Sequence, residues 1–558
     1  MPSREEVVAQ LTKMGPFEVG TETPDGQPMR VYKNAPPSMR AVLMATRVHD
    51  PKPFLIYGDE VITFREHFEQ VAALAHYLRD HAVKKGDRVA IGMRNYPEWM
   101  ISFWACQAIG AVVVALNAWW TGPEITYALE DSTPSALIID GERLERLKSL
   151  LPSLDALVIV ARRDGAGSEG VDFEEAVAKK TDALPDEEIA PDDYATILYT
   201  SGTTGRSKGA VATHRNHVTN ILNTLLGGAV ARGLSGDFGP PPTDAPQPAV
   251  LQTFPYFHIG GMSGLYMSAV MGAKVALMYK WNPVEAVELI EKHKIMSVAG
   301  VPIVVRQLLE AARASGKDVS SLIGIASGGA SVPPDLIRGI EKQFDQKAMP
   351  GNGYGLTETT SAVITNGGMD YFAHPDSIGK PTPTTEVRIV DEQGMDVPEG
   401  EVGEIWMRGP NVIPGYWKNP TATEAAFGGG WFRSGDLGYR DAEGFHYVVD
   451  RKKDVIIRGG ENVYCAEVEA QILEHPLVKD VAVVGLPDPE YGEQVAAVIQ
   501  VADVGRAAAL PDELRAELAK SLAKFKIPSS YKLTTAELPR TATGKVLKRE
   551  LRELFKKG

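Results

Sequence analysis

The sequence predicts an α/β protein: a large N-terminal domain of layered βα sheets with a small β subdomain, followed by a small α+β domain at the C-terminus. Three observations predict it. Residues 54–350 alternate short apolar runs with amphipathic helical patterns, residues 380–450 change to short strands broken by Gly and Pro, and beyond Arg451 helices and strands mix ahead of a basic tail. At 558 residues the chain exceeds the ~250–300 at which a single core stops growing, so at least two domains are expected. The change of texture sets them at 1–452 and 453–558.

In the first region, candidate strands lie at 88–93, 136–139, 156–160, 196–200, 274–279 and 322–326. The intervening helices carry start signals. Thr63-Phe64-Arg65-Glu66 is a capping box ahead of Phe68, Val71, Ala75 and Leu78 at helical spacing, and Asn282-Pro283 sets an N-cap before an N1 proline. Residues 228–248, rich in Gly, Pro, Asp and Ala, predict an exposed loop. In the second region short strands alternate with Gly and Pro turns, as in 386–394 and 403–409. In the third the pattern predicts a helix at 466–474, strands at 481–485 and 494–501, and a helix at 512–523.

Composition narrows the function. The chain is 44% hydrophobic and 23% charged, ordinary for a soluble protein, and its net charge of −14 argues against nucleic-acid partners, whose phosphates it would repel. Cys106 and Cys465 stand far apart without metal-ligand spacing, as in a reducing compartment. The acidic N-terminus is no signal peptide, and the longest apolar stretch, 109–115, is far short of the ~20 residues of a membrane span. A cytoplasmic location is expected, with room for peripheral membrane contact, and a homodimer is the base-rate expectation.

Three segments carry chemistry. In Tyr199-Thr200-Ser201-Gly202-Thr203-Thr204-Gly205-Arg206-Ser207-Lys208-Gly209, glycines let successive N–H groups converge on one concavity, and hydroxyls and cations add donors for phosphate oxygens. It is not a Walker loop: Ser207 stands where the second glycine is needed, and no hydroxyl follows Lys208. Gly351-Asn352-Gly353-Tyr354-Gly355-Leu356-Thr357-Glu358-Thr359 offers an aromatic for a base and a carboxylate for Mg2+, though alone it reads equally as a turn. Arg433-Ser434-Gly435-Asp436 holds an aspartate able to accept from ribose hydroxyls or, standing alone, to close an Asx turn.

These motifs, in this order and spacing, closely resemble the adenylate-forming superfamily of acyl-CoA synthetases, luciferases and peptide-synthetase adenylation domains. The likeness continues through Arg451-Lys452-Lys453-Asp454, Gly459-Gly460-Glu461-Asn462-Val463 and Pro539-Arg540-Thr541-Ala542-Thr543-Gly544-Lys545, and covers residues from about 55 to 550. The resemblance implies ATP, Mg2+ and coenzyme A as cofactor and co-substrates. Thr200, Ser201, Gly202, Thr203, Thr204, Gly205 and Lys208 would hold the β- and γ-phosphates. Gly329, Asn352 and Tyr354 would border the adenine end, Thr357 would touch the α-phosphate, and Glu358 with Thr200 would serve Mg2+. Asp436 and Arg451 would bind ribose, and Lys545 would be the adenylation lysine. His258 would stand beside the acyl pocket, or be an ordinary core histidine. Lys453 would be the hinge about which a mobile lid domain swings, bringing Gly459 and Gly460 against the pantetheine arm.

The chemistry needs such groups. Attack of a carboxylate oxygen on the α-phosphorus expels pyrophosphate and leaves an acyl-adenylate; the CoA sulfur then attacks the acyl carbon and AMP departs. Two anions must meet in the first step, so a cation aimed at the developing charge lowers the barrier. The thiol is CoA's own, and both protein cysteines read as structural. From 521 to 558 the tail carries 7 Lys and 3 Arg against 3 Glu, a net of +7, fitting either the CoA phosphates or a solvated basic helix. The pocket stretches 258–263, 330–332 and 361–363 are small or apolar, which predicts a hydrophobic monocarboxylate: a medium- or long-chain fatty acid or, alternatively, an aromatic or alicyclic ring acid. Rival readings are an adenylate-forming enzyme with a non-CoA acceptor and a catalytically dead nucleotide sensor.

Overall fold

The computed structural model describes residues 2–23, 26–200, 207–234, 236–239, 245–330, 332–541 and 544–556. Local signals set its helices. The Thr63 hydroxyl accepts from Glu66 N at 3.2 Å while the Glu66 carboxylate accepts from Thr63 N at 2.8 Å, opening Phe64–Asp80. The Asn282 side chain accepts from Val284 N and Glu285 N to open Pro283–His293.

Two large sheets frame the molecule. The first has eight strands in the order Gly415–Tyr416, Lys208–Thr213, Tyr194–Thr200, Val112–Ala115, Arg88–Gly92, Ala136–Asp140, Leu157–Ala161 and Val171–Asp172. The second has nine: Lys380–Pro381, Ser361–Gly367, Met349–Leu356, Gly324–Gly328, Ser297–Gly300, Ala249–Gln252, Lys274–Leu277, Pro53–Tyr57 and Glu60–Thr63. Their centres are parallel, as βα alternation requires. Between them one core joins Val89, Ile91 and Val113 of the first sheet to Leu55, Val275 and Leu277 of the second through Trp99, Phe103, Ile221 and Leu265 of three sandwiched helices. Further helices cover both outer faces. Each fully buried Val, Leu, Ile or Phe contributes ~1.5–3 kcal/mol of transfer free energy. Helix Pro97–Ala108 is buried on every side, which explains its apolar sequence, and no helix among the described residues is long and apolar enough to cross a membrane.

A four-stranded antiparallel sheet follows, Glu386–Val390, Gly403–Arg408, Phe432–Arg440 and His446–Arg451. The chain then enters a five-stranded sheet that begins with Ile456–Arg458. Along its strands alternation is strict. Val481, Val483, Val495, Ala497 and Ile499 pack on helices Cys465–Leu473 and Leu510–Leu518, whereas Ala482, Val484, Ala496 and Val498 pack on Leu538 and on Leu551 of helix Lys548–Lys556.

One expectation is corrected. The loop foreseen at 228–248 is helical through its first residues, because His214–Leu234 runs to its end without a break. Leu226 and Val230 are buried, and Gly233 lies so close to the N-terminal helix Arg4–Leu11 that a Cβ would stand 2.5 Å from Val7 Cγ1. Packing there outweighs the ~1 kcal/mol that a glycine costs a helix. Residues 235 and 240–244 lie outside the described set.

Candidate active site

The carboxyl ends of the nine-stranded sheet, the four-stranded sheet and the C-terminal unit meet at one cleft. On strand Met349–Leu356 the Tyr354 hydroxyl donates to Asp436 Oδ2 at 2.8 Å, and Arg451 Nε lies 3.3 Å from Asp436 Oδ1. Strands Phe432–Arg440 and His446–Arg451 hold Asp436 opposite Arg451 in register. Burial, with Asp436 beside it, raises the Tyr354 phenol well above its ordinary range, so it stays a donor. A carboxylate offers about four lone-pair sites, which leaves Asp436 capacity beyond these two partners. Asn352 precedes Tyr354 by two residues on the same strand face, and its side chain is bonded to Tyr371. Gly329 follows strand Gly324–Gly328 with φ +76° beside Val301 and Phe254.

Thr357 and Glu358 project from the turn after Tyr354. Thr359 pins that turn, donating to Ser361 O at 2.8 Å and accepting from Leu356 N at 2.9 Å, while Asn411 donates to its carbonyl at 3.1 Å. Glu358 Oε1 accepts from the Tyr416 hydroxyl at 2.8 Å, and the Lys208 ammonium sits 4.9 Å from the Tyr416 ring centroid. Tyr416 thereby joins the second and first motifs. No sequence signal near Pro414-Gly415-Tyr416-Trp417 indicated this, because it arises from pairing of Gly415–Tyr416 with Lys208–Thr213. At the mouth of the first motif the Thr200 hydroxyl donates to Lys208 O at 3.4 Å, Tyr199 donates to Asp131 at 2.6 Å and Tyr127 donates to Ser207 O at 3.1 Å. Ser201, Gly202, Thr203, Thr204 and Gly205 lie outside the described residues.

Lys545 enters the cleft from the C-terminal side. Its loop is tied by Thr541 N donating to Lys545 O at 2.7 Å and Lys545 N donating to the Thr541 hydroxyl at 3.1 Å. Burial first and Arg451 second hold the Lys545 ammonium down to about 8, with Asp436 and Glu358 pulling the other way. His258 is pushed down to about 4 by burial, and Lys545 adds to the effect, so the imidazole is neutral near pH 7. Its Nδ1 accepts from Gly260 N at 3.2 Å, capping helix Ile259–Val270 and leaving the ring proton on Nε2. Lys453 lies in the turn after Arg451, its ammonium held below the lysine range by burial and then by Arg451.

Gly459 and Gly460 are not in this cleft. They form the exposed turn between Ile456–Arg458 and Glu461–Val463, where Gly459 N donates to Tyr491 O at 2.8 Å. Part of the basic tail is spent within its own unit: Lys526 pairs with Glu467 at 2.8 Å, Arg540 with Asp480 and Lys548 with Glu469 at 2.9 Å. Both cysteines are buried and free; burial drives Cys465 up to about 12 and Cys106 still higher, so neither is a nucleophile.

A layered α/β body whose cleft receives a lysine from a smaller C-terminal unit, opposite an aspartate, an arginine and a glutamate, defines an adenylate-forming enzyme. The chain belongs to the AMP-binding enzyme family, whose model matches residues 44–417, with the AMP-binding enzyme C-terminal domain matching 467–545. It is similar to a feruloyl-CoA synthase of an Amycolatopsis species, 36% identical over 89% of this chain and 95% of that one. It is also similar to a long-chain-fatty-acid–CoA ligase of Bacillus subtilis, 32% identical over 91% and 92%. Among solved structures, the o-succinylbenzoate CoA synthetase of Bacillus subtilis with its acyl-adenylate intermediate matches with TM-score 0.77 and 30% identity over 93% of this chain and 98% of that one. The protein is an AMP-forming acid–thiol ligase that uses ATP, Mg2+ and coenzyme A. The donor set fits Mg2+: the Glu358 carboxylate, held by Tyr416 beside Lys208, supplies a hard oxygen donor, and Mg2+ characteristically takes one or two carboxylates with phosphate and water completing its shell.

Proposed function

We propose that the chain activates a hydrophobic monocarboxylic acid, a medium- or long-chain fatty acid, as its acyl-adenylate and passes the acyl group to CoA. The observation that carries this reading is the Lys545 ammonium set against Asp436, Arg451 and Glu358. In this reading residues 1–452 form the adenylation domain and 453–558 the lid. Thr200, Lys208 and the glycine loop between them cradle the β- and γ-phosphates. Gly329, Asn352 and Tyr354 border adenine, and Asp436 with Arg451 takes the ribose. Thr357 donates to the α-phosphate, where Lys545 offsets the repulsion between carboxylate and nucleotide. Glu358 and Thr200 would hold Mg2+, whose charge neutralises the phosphates. After pyrophosphate leaves, the lid turns about Lys453, and Gly459 and Gly460 come in to line the pantetheine path.

The hydrophobic acid is supported by the floor of the cleft. On one face of four neighbouring strands stand Val250, Ser297, Ala299, Gly324, Ala326, Gly328, Gly351 and Gly353, all partly open although they lie inside the sheet. Opposite, helix Ile259–Val270 offers Gly260, Ser263 and Gly264, and the Ser263 hydroxyl is already given to Asn220 at 2.9 Å. His258 is neutral, and the floor and helix residues named here are uncharged, so they offer no cation to a second carboxylate. The likeness to a feruloyl-CoA synthase favours an aromatic acid as the second reading.

The test is acid-dependent exchange of labelled pyrophosphate into ATP, run with acetate, octanoate, palmitate, benzoate, ferulate and a steroid acid. Octanoate or palmitate should give the fastest exchange. Ferulate or benzoate in first place would move the assignment to the aromatic class, and exchange with none would overturn the catalytic reading in favour of a nucleotide sensor.

A further inference from the structure

Cys465–Leu473 begins with a buried N–H and no capping side chain at Tyr464. A helix in this position leaves orphan donors that need an acceptor. Here the acceptor comes from the other side of the hinge. Asp450 lies on His446–Arg451, a strand of the four-stranded sheet, where it pairs with Leu437 and is only 8% exposed. Its Oδ2 accepts from Cys465 N and its Oδ1 from Arg451 N at 2.7 Å. Beneath this contact the Cys465 thiol donates to Asp454 O at 3.1 Å, and Lys548 pairs with Glu469 at 2.9 Å on the same helix. Lys548 also interacts electrostatically with Asp450. Cys465, Glu469 and Lys548 all follow Lys453, and Asp450 precedes it. Lys548 stands three residues beyond Lys545 on the segment that reaches the cleft.

We propose that Asp450 is a positioning residue for the first half reaction: its carboxylate latches the C-terminal unit by the uncapped N-terminal end of helix Cys465–Leu473, in the orientation that presents Lys545 to the nucleotide cleft. The proposal rests on the lid reading given above. Turning the unit about Lys453 separates a strand-borne carboxylate from a helix that moves, so the latch must open before the thiol step. A charge-assisted hydrogen bond at a buried carboxylate biases such an equilibrium about 10- to 100-fold. Asp450 touches no reacting atom; it acts through the placement of Lys545.

The two half reactions separate this role from a merely structural one. Asp450→Ala and Asp450→Asn are compared with the unaltered chain in pyrophosphate exchange and, separately, in thioester formation from chemically made acyl-adenylate and CoA. Octanoate and ferulate serve as the parallel acids, and the same two acyl-adenylates are supplied. Asp450→Ala should lower exchange about 10- to 100-fold and leave thioester formation unchanged or faster, while Asp450→Asn, which keeps one acceptor oxygen but loses the charge and the second acceptor, should lower exchange less, about three- to tenfold, and likewise spare thioester formation. Equal loss of both half reactions in Asp450→Ala, or undiminished exchange, overturns the latch. If Asp450→Ala fails to fold, Asp450→Asn decides: a bias between half reactions equal to that of the unaltered chain at lowered melting temperature overturns it, and a bias toward thioester formation supports it. Failure of the ligase reading itself has a different signature, an unaltered chain that exchanges with no acid at all.

Discussion

Two lysines three residues apart, Lys545 and Lys548, sit in opposite electrostatic surroundings. The cleft around Lys545 is desolvated, Arg451 and Lys453 there work against Asp436 and Glu358, and the ammonium is held down to about 8. The cluster around Lys548 is also desolvated, yet Glu469 at 2.9 Å, with Cys465 and Asp450 behind it, pushes that ammonium above the lysine range. Burial acts in the same direction on both; a dedicated counter-charge reverses its outcome only at Lys548. Lys548 completes a structural pair, whereas Lys545 is left short of negative charge that a nucleotide and a carboxylate can supply.

The largest expected break of this contrast is Lys545→Ala. It should slow pyrophosphate exchange by ~10²–10³, about 3–4 kcal/mol of barrier, while leaving the fold intact. Lys548→Met should do the reverse, lowering the stability of the C-terminal unit in urea by about 2–3 kcal/mol. That is below the ~3–5 of a fully buried broken pair, because about a fifth of each partner stays exposed.

The pH dependence carries the signs. Folding disfavours the charged form of Lys545, so its cost is fully present below about 8 and fades as pH rises toward the ordinary lysine range of ~10.4. Lys545→Ala should therefore melt higher than the unaltered chain near neutrality, with the gap closing by about pH 10. Lys548 contributes stability that is fully present below ~10.4 and is lost as pH rises through its higher folded value. In the unaltered chain, kcat/KM for adenylation should fall above about pH 8, where free Lys545 loses its proton. A flat profile to pH ~10 would show that another group supplies the charge. The smallest effect is expected for Tyr416→Phe, which removes the bond to Glu358 and should lower exchange about three- to tenfold, partly restored by raising Mg2+.

What could be read from the sequence follows the range of the interactions. Thr63 and Asn282 announce their helices because a cap is satisfied within three residues. Asp436, Tyr354 and Lys545 were legible through motif order, although the hydrogen bond from Tyr354 to Asp436 spans 82 residues. Tyr416 was not, since its partner Glu358 is 58 residues away and only strand pairing with Lys208–Thr213 brings it near Lys208. The helix over 228–234 was hidden by its glycines, whose local cost is outweighed by Val7 from the far N-terminus. Asp450 stands one residue before the segment Arg451-Lys452-Lys453-Asp454, and its partner Cys465 reads from the sequence only as a structural cysteine, because a backbone N–H leaves no mark in a side-chain pattern.

Gly544, immediately before Lys545, has φ +80°, and a Cβ there would fall 2.9 Å from Val301 Cγ2. Val301 is thus a doorstop, and the absent methyl sets how far the arm bearing the amine can advance. Bulk added on either side of that contact would hold the Lys545 ammonium back from the cleft by a fraction of an ångström, so its reach is gauged by two residues that carry no charge themselves.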